Sequence, residues 1–387
     1  MNRIMSIDGL RALSIIMVLL GHSAATMSDE VANNLLFKLF ANSNLGVKFF
    51  FVISGYLITK LLIIEKEKTN FINIKHFYLR RAFRILPIFY LYIFVIIFLK
   101  WTFVTDIVDS YLDVLPASFY LWNYKHFWTS VSGKGSWFLG HFWSLSMEEQ
   151  FYLLWPFVFS FFYAKSSNIK LIKLVSILIL IMPFLRLLTY VLTPDSRGYI
   201  NMMLHTGGDA ILIGCLGALI EGTNAFKAKY LLHLQNKFLI VFTVFFLFVF
   251  SPLLSINFKG AYDLPIGMTL NNVFILIFLF WCIYVPTKFS SVLNNRILVQ
   301  IGVLSYSLYV WQQLFLTNRN DFWVNKFPQN IFIVFLVGFA SYYLIEKPIL
   351  KLKNRYKAVS AKHKVTEEVI LVNTEQTIRV SSKSNSI

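Results

Sequence analysis

The stretch IDGLRALSIIMVLLGHS, residues 7–23, places an arginine and a histidine at the two ends of an apolar run. Eleven positions separate Arg11 from His22, close to three turns of an α-helix, so the two side chains share one face about 16 Å apart along the axis. An apolar helix of this length is typical of a membrane span. The spacing therefore predicts a span with Arg11 at one membrane surface and His22 well inside.

The rest of the chain has the composition of a membrane protein. Of its 387 residues, 57% are hydrophobic and only 14% are charged, and phenylalanine alone occurs 40 times. Soluble domains do not have this composition. We predict an all-α, polytopic integral membrane protein with about ten transmembrane helices, because apolar runs of spanning length recur along the chain. The predicted spans are 10–27, 45–64, 85–104, 142–163, 171–191, 206–221, 238–255, 268–286, 297–317 and 330–350.

Positive charges predict the orientation of these spans. If both termini are cytoplasmic, the segments on that side hold 26 of the 36 Lys and Arg residues, as the positive-inside rule requires. The largest groups lie in 60–84 and from Lys347 onward. The net charge of +17 is therefore explained by topology and by attraction to membrane lipids. We expect lipids as partners and no nucleic acid.

Two regions outside the spans are distinctive. Segment 105–141 is long, aromatic and partly polar, as expected of a surface that meets an external substrate or of an aromatic belt at the membrane interface. Residues 1–350 form the predicted membrane domain, and 351–387 form a basic and polar cytoplasmic tail that we expect to be disordered. No small-x-small cleavage site follows the first span, which we interpret as a permanent helix. Cys215 and Cys282 lie in spans and are too few for a metal cluster, so no metal is expected.

Six stretches, in order along the chain, resemble the motifs of one family, the bacterial membrane acyltransferases called acyltransferase family 3. The first has the family's Arg-x10-His spacing, and any one of the six alone is weakly specific. They are DGLRALSIIMVLLGH (8–22), FFFVISGYLITK (49–60), FYLRRAFRILP (77–87), WSLSMEEQFYLLWP (143–156), SYSLYVWQ (305–312) and YYLIEKP (342–348).

The resemblance implies an activity. Members of the family transfer an acyl group, for which we favour acetyl, from cytosolic acyl-coenzyme A to a hydroxyl of an extracytoplasmic or lipid-linked glycan such as O-antigen, lipopolysaccharide or exopolysaccharide. The implied location is the bacterial cytoplasmic (inner) membrane. The appended hydrolase-like domain of longer family members has no counterpart in the sequence, so the membrane part is expected to suffice. The alternative is a glycan or lipid transporter, but we find no paired inverted repeats of the kind that transporters show.

His22 is the first candidate for the chemistry, because an ionisable side chain inside a span is costly and is by default a functional candidate. A neutral imidazole can take a proton from a sugar hydroxyl as a general base, or attack a thioester itself; the alternative for His22 is a structural, neutral histidine hydrogen-bonded to a neighbouring helix. Arg11 shares its face and could pair with Asp8, and the resemblance implies a role for Arg11 in binding the donor or ordering the site. The alternative for Arg11 is a topological role.

The donor is expected at the arginines of the 77–87 motif. Arg81 and Arg84 share one helix face, with Arg80 alongside, and planar guanidinium groups suit the phosphates of coenzyme A. Their alternative role is to bind lipid headgroups. Ser54 and Gly55 would allow a close backbone approach, which serves either a donor tunnel or helix packing.

Two adjacent carboxylates open the predicted fourth span. SMEE has the pattern of a capping box, with Ser146 as N-cap and Glu149 reaching back to it, so Glu149 is a candidate for either capping or catalysis. Glu148 has no capping role. We predict that it orients or charges His22, or binds a substrate hydroxyl.

The remaining candidates are less specific. Trp143, Tyr152 and Trp311 are candidates for stacking on sugar or acyl groups, although aromatic residues in spans more often serve packing. Asp209 and Glu346 are carboxylates inside spans whose partners the sequence does not identify. The sequence departs from the family at position 312, where a histidine is common and this chain has Gln312, followed by Gln313. A glutamine cannot titrate, so we expect no general acid or base at this position. A ridge of small residues, Ala210, Gly214 and Ala218, predicts helix packing.

Overall fold

A computed structural model describes residues 3–102, 107–127, 136–164, 168–224 and 226–352, and within them all regular secondary structure is helical. Ten long helices form the body of the protein. They are α1 (Met5–Ser23), α2 (Ser43–Thr69), α3 (Ile74–Thr102), α4 (Phe142–Phe162), α5 (Ile169–Leu192), α6 (Asp209–Glu221), α7 (Lys237–Phe258), α8 (Gly260–Tyr284), α9 (Arg296–Phe315) and α10 (Gln329–Leu352).

Short helices connect the long ones. The α-helical connectors are Asp29–Asn33, Leu35–Phe40, Val114–Ser118, Ser136–Gly140, Leu204–Gly207, Leu231–Leu234 and Lys288–Leu293, and a 3-10 segment, Trp122–Phe127, lies between α3 and α4. The two connectors around 114–127 belong to the aromatic segment that the sequence predicts on the outside. Part of that segment, 128–135, and the tail from 353 onward lie outside the described residues.

Each predicted span overlaps one of these ten helices, although α3 begins at Ile74 and not at 85, and α8 begins at Gly260 and not at 268. Seven of these are long and apolar enough to cross a membrane, namely α1, α2, α3, α5, α7, α8 and α10, which confirms a multi-pass, all-α protein. The other three helices are too short or too polar to be recognised as spans by length and composition. Helix α6 has only 13 residues, while α4 and α9 carry the polar SLSMEEQ and SYSLYVWQQ stretches. The count of ten spans and the side of the termini remain predictions.

Helix α1 packs between α2 and α9, and glycines set how closely helix backbones approach. A Cβ added at Gly302 of α9 would lie 1.9 Å from the Asp8 carbonyl oxygen of α1. In the neighbouring contact between α2 and α6, a Cβ at Gly55 would lie 2.0 Å from the Ile211 carbonyl oxygen, and one at Gly214 would lie 2.1 Å from the Val52 carbonyl oxygen. Backbones that touch in this way require glycine. The packing role predicted for the small-residue ridge is therefore confirmed at Gly214.

A buried ion pair joins α5 to α6. The Arg186 Nη2 atom lies 2.5 Å from Asp209 Oδ2, and the two side chains are 0% and 1% exposed. Thr269 of α8 bridges them, because it accepts a hydrogen bond from Arg186 at 2.8 Å and donates one to Asp209 at 2.6 Å. This network supplies the partner for Asp209 that the sequence did not reveal. Glu346 accepts a hydrogen bond from Ser307 of α9 at 2.9 Å.

Candidate active site

Two cavities lie at opposite ends of α1. The arginine cavity, of about 320 Å³, is lined by the first half of α1 and by α2, α3, α4 and α9. The histidine cavity, of about 280 Å³, is lined by the last turn of α1, the segment before α4 and the end of α9. Val47 and Tyr309 line both cavities, so these two side chains lie between the two cavities.

Four arginines line the arginine cavity: Arg3, Arg11, Arg81 and Arg84. Arg11 donates a hydrogen bond to Ser305 of α9 at 2.9 Å, and the Arg81 guanidinium lies 4.3 Å from the centre of the Tyr152 ring. Two carboxylates, Asp8 and Glu148, also line it. The cavity therefore has an excess of positive charge and suits an anionic ligand.

One expectation about a charge partner needs correction. Asp8, predicted as a partner of Arg11, forms its ion pair with Arg3 at 2.5 Å, because the side chain of Arg11 reaches across to α9. Arg80 forms an ion pair with Glu65 at 2.8 Å and does not line the cavity. Arg81 and Arg84 alone of the three neighbouring arginines thus face the cavity.

Glu148 lies in the arginine cavity beside Ser54, whose hydroxyl is hydrogen-bonded to that of Tyr152. Its charged neighbours are the guanidinium groups of Arg81, Arg11 and Arg84. The structure therefore separates Glu148 from His22, which lines the other cavity, and favours a role in the arginine cavity over the predicted support of His22. Gly55 faces α6 and lines neither cavity, which favours its packing alternative.

The predicted capping box is wrong. Helix α4 begins at Phe142, with His141 in the N-cap position and no side-chain cap. Ser146 is therefore a buried residue inside the helix, and its hydroxyl has no hydrogen-bond partner within the described part of the chain. Glu149 is freed from a capping role, and its buried Oε1 atom likewise has no partner among the described residues. Glu149 lines neither cavity.

His22 lies in the histidine cavity on a polar and aromatic wall. Its Nδ1 atom is 2.8 Å from Oε1 of Gln312 on α9, and its ring centre is 5.7 Å from that of Trp137. An amide oxygen can only accept, so this contact assigns the proton to Nδ1 and leaves Nε2 as the basic atom. The glutamine that departs from the family motif thus orients the histidine.

Sequence reasoning missed His141. It lines the histidine cavity with His22 and is 3% exposed, and neither of its ring nitrogens has a hydrogen-bond partner among the residues that the structure describes. Its position two residues before the WSLSMEEQ motif was an available signal. Trp137 was missed as well, and only tertiary structure brings it beside His22.

The three candidate aromatic residues lie in three different places. Trp143 lines the histidine cavity and Tyr152 the arginine cavity. Trp311 lines neither; its ring is buried and packs 5.6 Å from that of Tyr92, which favours a packing role.

Comparison with known proteins gives a match over nearly the whole chain. The profile of a family described as "Acyltransferase domain" matches residues 4–346. O-acetyltransferase OatA of Staphylococcus aureus is 30% identical over 364 residues, covering 89% of this chain and 57% of that protein.

Two further relatives match over the same share of the chain. Peptidoglycan O-acetyltransferase OatA of Listeria monocytogenes is 28% identical over 367 residues, covering 89% of this chain and 56% of that protein. The putative peptidoglycan O-acetyltransferase YrhL of Bacillus subtilis is 29% identical over 374 residues, covering 89% and 54%. This chain therefore spans little more than half the length of the curated relatives it matches. No solved structure matches the chain.

Proposed function

This chain belongs to the acyltransferase family whose profile it matches over residues 4–346, and from that premise we propose that it O-acetylates a glycan of the bacterial cell envelope. The donor is cytosolic acetyl-coenzyme A, and the chain lies in the cytoplasmic membrane. One observation carries the proposal. A cavity rich in arginine and a cavity that holds His22 lie next to each other along α1 and share Val47 and Tyr309 as lining residues, which suits a reaction between substrates that arrive from opposite sides.

The arginine cavity is the proposed donor site. The pyrophosphate of coenzyme A would lie against Arg81 and Arg84, because guanidinium groups bind phosphate through paired hydrogen bonds. The narrow pantetheine arm would then run past Val47 and Tyr309 toward His22. Ser54, Tyr152 and Glu148 would line its entrance.

The histidine cavity is the proposed acceptor site, and His22 acts there as a general base. Its Nε2 atom takes the proton of the acceptor hydroxyl, whose oxygen forms a bond to the thioester carbonyl carbon. The carbon–sulfur bond then breaks, and the departing thiolate of coenzyme A receives the proton from the imidazolium. Gln312 holds the ring throughout, since its Oε1 accepts from Nδ1 at 2.8 Å.

The relatives favour one class of acceptor. Two of the three are named for peptidoglycan, and none of the three names mentions O-antigen or lipopolysaccharide. We therefore propose peptidoglycan or its lipid-linked precursor as the first acceptor to examine, ahead of the surface polysaccharides that the sequence suggested.

The test is mass analysis of envelope glycans from cells with and without this chain, with isotope-labelled acetyl-coenzyme A supplied to their membranes. We expect labelled acetyl ester on the glycan only when the chain is present. Acetyl-coenzyme A should also protect the purified protein against heat, because a ligand that binds the folded state stabilises it. Unchanged glycans together with no protection would favour a transporter.

The arginines should govern the donor and not the acceptor. Charge reversal at both positions, Arg81→Glu with Arg84→Glu, is expected to raise the KM for acetyl-coenzyme A at least tenfold, because two attractive contacts with phosphate become repulsive. The increase should be larger at low salt, where screening is weak. Steady-state kinetics at two salt concentrations measure it. Arg80→Glu is the matched control, since Arg80 pairs with Glu65 outside the cavity. A change confined to the KM of the glycan would refute this donor site.

A further inference from the structure

The histidine cavity has positive charge on its wall. Lys125 and Arg319 line it, and no Asp or Glu does so within the part of the chain that the structure describes. Lys125 is buried, and its Nζ atom lies 3.5 Å from the carboxylate of Asp113. Its charge is therefore balanced by a neighbouring group of the protein.

Arg319 has a different environment. It is exposed, and no salt bridge links it to a carboxylate of residues 3–102, 107–127, 136–164, 168–224 or 226–352. Its guanidinium carbon lies 5.7 Å from the centre of the Trp137 ring. A guanidinium group presents five N–H donors in a flat fork, which matches the oxygens of a carboxylate or phosphate.

His126, a further basic group of this cavity, adds no charge at neutral pH. Burial, together with nearby His205, lowers the pKa of His126 below its usual range, so its ring is neutral at pH 7. Three indole rings, Trp122, Trp137 and Trp143, also line the cavity. Their flat apolar faces suit the C–H face of a sugar ring. Among the residues that the structure describes, the cavity thus combines surfaces for a sugar with one cation, Arg319, that no carboxylate balances.

We propose that Arg319 and Trp137 form a subsite for an anionic group, a carboxylate or a phosphate, carried by the acceptor saccharide. The inference rests on the proposed function, because it assigns a substrate class to the same cavity. Trp137 lies between the two key groups, 5.7 Å from the ring of His22 and 5.7 Å from the guanidinium of Arg319. A saccharide held on Trp137, with its anion against Arg319, therefore presents a hydroxyl toward His22.

Equilibrium binding to the full chain in detergent, measured by calorimetry, tests the subsite. The probes are a neutral N-acetylglucosamine tetramer, the same tetramer with one carboxylate, and the same tetramer with one phosphate. We expect both anionic probes to bind about tenfold more tightly than the neutral one, because hydrogen bonds to a charged partner are the stronger kind. Added salt should reduce this preference.

Variants separate a specific site from general surface charge. Arg319→Gln should remove the preference, so that all three probes bind with equal affinity, whereas Arg319→Lys should keep part of the preference, since lysine retains the charge but not the fork. Arg197→Gln should change nothing. Arg197 is the matched control because it is an exposed arginine 4.4 Å from the Tyr190 ring that does not line the cavity.

Several results would overturn the subsite. They are equal affinity for all three probes, no binding of any probe, a preference that survives Arg319→Gln, or one that Arg197→Gln also removes. A preference lost in phosphatidylglycerol nanodiscs but kept in phosphatidylcholine would assign Arg319 to lipid headgroups instead. Acyl transfer is measured separately, so binding without transfer would refute the proposed function alone, and transfer without preference would refute the subsite alone.

Discussion

Replacing His22 with alanine should lower acyl transfer by roughly 10²–10⁴-fold, the usual contribution of a general base. The variant should still fold, because it loses one hydrogen bond, that between His22 and Gln312. Such a bond stabilises the folded state by about 1 kcal/mol. Transfer of labelled acetyl to glycan is measured at matched expression. A His22→Ala protein that transfers acetyl at the normal rate would end the assignment of His22 as the base.

Two variants separate basicity from positioning. His22→Gln keeps a polar side chain that can contact Gln312 but has no basic nitrogen, so its loss of activity should equal that of His22→Ala. Gln312→Ala keeps the base and removes the group that orients it, and we expect a smaller loss of about tenfold, the value of one hydrogen bond. Equal losses of activity in Gln312→Ala and His22→Ala would mean that the position of the imidazole ring, and not its basicity, limits the reaction.

The second large effect concerns stability, at the buried pair of Arg186 and Asp209. Arg186→Leu leaves the Asp209 carboxylate, which is 1% exposed, without its counter-ion. Removing one partner of a buried ion pair costs about 3–5 kcal/mol. We expect a marked fall in the temperature at which the detergent-solubilised protein loses its monodisperse peak in size-exclusion chromatography.

The double variant, Arg186→Leu with Asp209→Leu, tests the cause. It removes both charges and should recover much of the lost stability, because apolar replacement of a whole buried pair is often close to neutral. Arg3→Gln is the control, since Arg3 is 57% exposed in its pair with Asp8 and such pairs contribute only about 0–1 kcal/mol. If Arg186→Leu and Arg3→Gln shifted the temperature equally, the buried pair would not be a major source of stability.

The sequence by itself determined the helical, multi-pass architecture and the family. Local composition is enough for this, because a membrane-spanning segment must satisfy its own backbone hydrogen bonds and face lipid with apolar side chains. The motif order identified the family, and the spacing of Arg11 and His22 placed them at two ends of one helix. The rise per residue sets their separation along that helix, whereas the two cavities that they line are features of the tertiary structure.

Only the tertiary structure decided which groups meet. Glu148 and His22 looked like partners, yet α4 carries Glu148 to the arginines while α9 brings Gln312 to His22. The capping box failed because α4 begins four residues before Ser146, at Phe142, where tertiary packing prolongs a helix that local signals would start later. Gly55, an equal candidate for tunnel and packing, lies against Ile211. Contacts between helices distant in the chain depend on how apolar faces and small residues fit together, and no local pattern encodes that fit.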